Sequence, residues 1–121
     1  RQRGLEIAEA FFAASRSGDM TALSAMLSAD VSMHADGGGK RPAMMSALFG
    51  IEDVMKTHQS LARFFAKGGS TLIRAVMVNG LPGFITREAD GELQTTAIDI
   101  EDGKITAIYV VRNPDKLKHL H

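Results

Sequence analysis

The sequence predicts an α+β fold, three helices packed on a curved, mostly antiparallel sheet. Three observations carry this. Apolar residues recur at helical spacing through the first half of the chain. Asn79-Gly80, Asp90-Gly91 and Asp102-Gly103 punctuate the second half as hairpin turns, eleven and twelve residues apart. Between those turns lie runs rich in β-branched residues. Helices first and strands second, with one helix between an early strand and the late ones, is the α+β order.

The first helix carries Leu5, Ala8, Phe11, Phe12 and Ser15 on one face, with Glu6, Glu9 and Arg16 elsewhere on the wheel. Gly18 can end it in a left-handed conformation. Asp19 can cap a second helix over residues 20–28, which buries Leu23, Met26 and Leu27. Asp30 interrupts that pattern, and residues 31–36 read as a short strand. Three glycines at 37–39 supply no side chain to pack. Lys40 and Arg41 follow, then an apolar segment over 42–49, a strand or an irregular hook. Met44 and Met45 near Phe49 could line a soft, adaptable surface, although methionine more often fills cores.

Gly50 opens a long helix. Glu52 and Asp53 in its first turn and Lys67 in its last complement the helix dipole. Its apolar stripe is Ile51, Val54, Met55, His58, Leu61, Ala62 and Phe65. Gly68 and Gly69 end it. The remaining runs, 71–78, 83–88, 93–101 and 104–112, are joined by connections so short that neighbours must be antiparallel. A four-stranded meander curling over three helices would form a cone with an apolar interior.

Composition narrows the function. At 121 residues, 45% hydrophobic and 23% charged, the chain is the size of one domain with a genuine core. Fourteen Lys+Arg balance fourteen Asp+Glu, so no global basic field draws in nucleic acid or an anionic membrane. There is no cysteine, which excludes thiolate nucleophiles, zinc–thiolate sites and disulfides and fits a cytoplasmic setting. No run of about 18 apolar residues could span a bilayer. A chain that opens at Arg1 rather than Met reads as a piece of something longer.

The element order, with "FFAASRSGDMTALSAMLSADV" at the start, "FGIEDV" opening the third helix and "IEDGKITAIYVV" in the last hairpin, resembles the SnoaL-like domains of the nuclear-transport-factor-2-like superfamily. That resemblance covers nearly the whole chain and implies the cone-shaped α+β fold. Two further words, "HADGGGK" (34–40) and "RNPDKLKHL" (112–120), resemble signatures of the SnoaL-like C-terminal extension on one group of extracytoplasmic-function (ECF) sigma factors. The resemblance implies a regulatory domain cut from a transcription initiation factor. Its partners would be the sigma domains of the same polypeptide and, through them, core RNA polymerase and promoter DNA. Docking would use Asp36, Gly37, Gly38, Gly39 and Lys40 together with a C-terminal motif of Asn113, Pro114, Asp115, Lys116 and Leu117. A small apolar ligand in the cone and a homodimer of the isolated domain are further expectations. Exposed apolar sheet residues such as Ile85 or Val110 would support the homodimer.

The alternative is a small-molecule enzyme of the polyketide cyclase or isomerase kind. His34 and Asp36, two apart on a strand, point to one face and could form an acid/base pair. They could equally pin the glycine loop that follows. Ketosteroid isomerases share the fold, but the base that resemblance implies would fall at or beside Ala35, which is no carboxylate unless a bulge brings in Asp36. Tyr109, on a strand face with Ile105, Ala107 and Val111, could polarise a carbonyl or simply pack its ring. His58, on the apolar stripe, reads as a core histidine or a polar group facing the cavity. Phe11, His34, His58 and Tyr109 are thus the pocket candidates. In the third meander strand, Gln94, Thr96, Ile98 and Ile100 should face inward and Asp99 and Glu101 outward, since burying Asp99 unpaired costs several kcal/mol. The interior is then expected to be short of charge. His119 and His121 lack a third ligand nearby, so no metal is expected, and no cofactor motif is present: "DGGGK" departs from the Walker spacing.

Overall fold

The computed structural model describes residues 2–36, 47–65, 69–88 and 91–112. The first helix, α1, runs Gln2–Ser17, and α2 runs Met20–Met26. Between them Gly18 adopts φ +80°, the left-handed value that reverses a chain at a helix end. The Asp19 carboxylate then accepts a hydrogen bond of 3.1 Å from the Ala22 amide, capping α2.

The second helix is shorter than the apolar pattern suggested. Leu27 is already extended and opens strand β1, Leu27–Asp36, so Asp30 lies inside a strand. The pairing register of that strand shifts between Leu27 and Ser32. Leu27 and Val31 lie four apart, an even spacing that puts both on one face of a strand, and both enter the core. Two residues, Leu48–Phe49, form β2, and α3 runs Ile51–Phe65. Val54 and His58 on the expected stripe are buried.

The meander follows as β3 (Thr71–Val78), β4 (Leu81–Arg87), β5 (Leu93–Glu101) and β6 (Lys104–Val111). Asn79 and Gly80 have φ of 51° and 85°, and Asp102 and Gly103 have 52° and 79°. Positive φ at both central residues is what a tight hairpin turn matching strand twist requires. Gly83 has a different reason. A Cβ there would stand 2.2 Å from the Thr96 carbonyl oxygen, so β4 and β5 approach closely only because that atom is absent.

The six strands form one sheet in the order β2-β1-β6-β5-β4-β3, and β1 with β6 is its parallel pair. Helix α1 lies against β3 and β4, and α3 against β1 and β2. Alternation assigns the faces. Val31, Met33, Leu72, Phe84, Ile98, Ile100, Ile108 and Val110 face the helices with Phe11, Leu23 and Val54. Ser32, His34, Ile85, Ala97, Asp99 and Tyr109 take the outer face. Ile98 is fully buried and Glu101 exposed, as the charge argument required.

Two expectations about these faces fail. Ile105 does not share a face with Tyr109. Ile98 pairs with Ile108 and Ile100 with Ile105, so three residues on β6 span what two span on β5. That bulge turns Ile105 into the core, where it is fully buried. Ile85 and Val110 are not bare either: Ile85 is buried and Val110 packs on the core. Among the described residues, the large apolar side chains that reach solvent are Phe49, Ile73 and Tyr109. No helix among the described residues is long and apolar enough to cross a membrane.

Candidate functional site

The four pocket candidates separate into two pairs on opposite faces of the sheet. Phe11 and His58 meet inside, their rings edge to face at 5.7 Å. His58 is buried because Val54 and His58 fall one turn apart on the apolar stripe of α3. Its Nδ1 lies 2.9 Å from the Val54 carbonyl oxygen, which can only accept, so Nδ1 carries a proton and donates. Burial pushes the His58 pKa below its ordinary value and the nearby Arg16 charge adds to that, while the bond to Val54 opposes both. His58 is therefore a neutral, satisfied core histidine at neutral pH.

His34 and Tyr109 meet outside. They are directly paired across β1 and β6, and their rings stack at 5.0 Å with 14° between planes. His34 Nε2 shares a hydrogen bond of 2.9 Å with Ser32 Oγ. The Phe49 ring meets His34 edge-on at 6.0 Å, extending the row of rings across β2, β1 and β6. Tyr109 is 38% exposed and Phe49 68% exposed. This is an aromatic ladder open to solvent. Asp36 ends β1 opposite Val111 in parallel register, so the chain leaves two neighbouring strands at the same end of the sheet. The docking residues 37–40 and the motif 113–117 lie outside the described residues, and so does the side chain of Asp36.

The interior is not short of charge, contrary to the sequence expectation. Arg16, assigned to the wheel away from the apolar stripe, turns inward at the end of α1. Its guanidinium carbon lies 5.0 Å from the Phe12 ring centre and 5.9 Å from that of Phe84. It donates 3.0 Å hydrogen bonds to Ser70 Oγ and Ser15 Oγ and stands 3.9 Å from Glu88 Oε2. Ser70 donates to the same carboxylate oxygen at 3.0 Å, and Thr86 donates to it as well. Glu88 is 7% exposed. Burial lowers the Arg16 pKa and Glu88 raises it; the group remains a cation. Thr86 and Glu88 alternate onto the helix-facing side of β4, where α1 brings Arg16 over them. The available sequence signal was weak: a cation at the end of α1 and a carboxylate just past β4 are ordinary surface residues by type.

An open cleft of about 340 Å³ adjoins the ladder, lined by Ala29, Phe49, Gly50, Ile51, Glu52 and Asp53. The Gly50 amide donates to the Val31 carbonyl at 2.8 Å and joins the N-terminus of α3 to β1 there. Among the described residues no three His, Asp or Glu side chains converge as metal ligands.

No family model matches the chain. The ECF RNA polymerase sigma factor SigJ of Mycobacterium tuberculosis is 29% identical over 118 residues, covering 92% of this chain and 38% of that protein. The crystal structure of SigJ matches with a TM-score of 0.70, over 94% of this chain and 43% of that one. A SnoaL-like protein from Burkholderia thailandensis matches at 14% identity and a TM-score of 0.70, over 88% of this chain and 92% of that one. A de novo designed protein with a curved β-sheet matches at 19% identity and a TM-score of 0.69, over 98% and 91%. The fold is therefore SnoaL-like, and the chain is similar to a part of an ECF sigma factor, spanning less than half of its length. Architecture by itself specifies no activity; function has to be argued from the site.

Proposed function

We propose that the chain is a non-catalytic regulatory domain of an ECF sigma factor, acting inside the cytoplasm on promoter binding and transcription initiation. It would dock on the sigma domains of the same polypeptide and so alter how they meet core RNA polymerase and promoter DNA. The observation that carries this reading is similarity to SigJ over 92% of the chain, in sequence and fold together. The parallel register of Asp36 with Val111 supports it, because segments 37–40 and 113–117 then start from neighbouring strands and can serve one surface. A small apolar ligand in the cone would bias docking only by binding the docked and free states unequally.

The test is transcription from a cognate promoter by the full-length factor carrying Lys40→Ala and Asp115→Ala. A changed output supports docking through these segments; an unchanged output removes them from the mechanism. Native mass spectrometry of the purified domain reads any retained ligand and the oligomeric state together. The enzyme alternative requires His34, Asp36 or Tyr109 to act in a sheltered site. His34 and Tyr109 stand on the outer face of the sheet, and the described hydrogen bond of His34 goes to Ser32.

A further inference from the structure

The interior and the exterior of this molecule carry two versions of one chemical arrangement. Inside, Arg16 lies over the Phe12 and Phe84 rings with the Glu88 carboxylate beside it. Outside, the cleft presents the Phe49 ring and the Glu52 and Asp53 carboxylates, and no cation is among its described lining residues. Both carboxylates are exposed in the first turn of α3 and form no ion pair among the described residues. Asp30, next to the lining residue Ala29, is exposed as well. The Phe49 ring makes an edge contact with His34, itself stacked on Tyr109, and leaves most of its surface to solvent.

We infer that this cleft is a docking site for an arginine side chain of a partner protein segment. The planar guanidinium stacks on an aromatic face and pairs with carboxylates through its fork of donors, whereas a lysine ammonium is a compact point charge. A cation over an exposed ring and two carboxylates is thus complementary in both shape and charge. The cleft, at about 340 Å³, is at the small end of the range of ligand pockets, suited to one side chain rather than a folded surface. Building on the proposed regulatory function, the source is the promoter-binding surface of the sigma domains, which must display cations to meet DNA phosphates. An arginine seated at Phe49 is withheld from DNA.

The test begins with the chain itself, titrated with a tri-arginine and a tri-lysine peptide of equal length and followed by calorimetry. The emission of Tyr109, the chain's one tyrosine in the absence of tryptophan, reports on the ladder. The arginine peptide is expected to bind about tenfold more tightly than the lysine peptide. Phe49→Ala, at an exposed position, should abolish that preference without unfolding the domain. Glu52→Gln with Asp53→Asn should weaken both peptides. In the full-length factor, Phe49→Ala should raise promoter affinity by about threefold. Equal binding of the two peptides, or a preference that survives Phe49→Ala, overturns the inference. If the preference is absent yet removing the domain still changes promoter output, the inference falls and the regulatory reading stands. If the preference is present and Phe49→Ala leaves promoter affinity unchanged, the sigma domains are overturned as the source.

Discussion

The Arg16 guanidinium stands 3.9 Å from the Glu88 carboxylate, and this pair joins the end of α1 to the residue after β4. It does so inside the molecule, with Ser70 and Thr86 donating to the same carboxylate. Removing one member of such a pair leaves the other charge buried without its counter-ion.

Glu88→Ala is therefore expected to destabilise the fold by about 3 kcal/mol, read from urea denaturation at neutral pH. Replacing both members, as Arg16→Met with Glu88→Leu, should cost less than the sum of the two single changes, because no orphan charge remains. Additivity of the single effects would show that the two side chains act independently.

His58 predicts a specific pH dependence. Its folded pKa lies below the ordinary 6.5. Below pH 6.5 the unfolded chain therefore takes up a proton that folded His58 resists. Its contribution to stability is complete above that pH and declines as the pH falls toward the folded value. His58→Asn keeps a donor for the Val54 carbonyl but cannot titrate. The loss of stability between about pH 7 and about pH 5.5 should be smaller in the variant than in the parent, measured as urea midpoints.

Gly83 and Gly80 separate crowding from backbone strain. Gly83→Ala drives a methyl into the Thr96 carbonyl and should cost about 3 kcal/mol with disrupted β4–β5 pairing. Gly80→Ala meets nothing within 4 Å and pays only for its positive φ, about 1 kcal/mol. Amide exchange along β5 should rise in the first variant and stay near the parent's in the second.

Asp19→Ala removes the acceptor for the Ala22 amide at the start of α2. The expected loss is about 1 kcal/mol, and Asp19→Asn should recover most of it in a thermal melt. Equal melting of the two variants would mean that the cap contributes through charge rather than through its hydrogen bond.

The parts legible in the sequence are those with local causes. Asn79-Gly80 and Asp102-Gly103 announce their turns because a tight hairpin needs positive φ at both positions. The stripe on α3 announced Val54 and His58 as buried because helical geometry repeats every turn. The limits were equally physical. Leu23, Met26 and Leu27 fit a helix, but Leu27 opens a strand, and its four-residue step to Val31 suits one helix face and one strand face alike. Ile105, Ala107 and Tyr109 fit strict alternation, but a bulge breaks it. Of the candidate residues, His34 and Tyr109 proved to be cross-strand partners, a relationship visible only once β1 is known to pair with β6.

The sequence by itself determined the kind and order of the elements, the Asn79-Gly80 and Asp102-Gly103 turns, and a resemblance that the SnoaL-like fold bears out, while Asp90 of the third expected turn lies outside the described residues. Each depends on contacts among residues a few positions apart. Tertiary structure alone decided that Arg16 is buried against Glu88, that β1 and β6 run side by side, and that Phe49, His34 and Tyr109 form one exposed row. The partners in those contacts lie far beyond one helical turn or hairpin, from 15 residues apart for Phe49 and His34 to 75 for His34 and Tyr109. No periodicity encodes them; they arise when helix and sheet faces seek cover together.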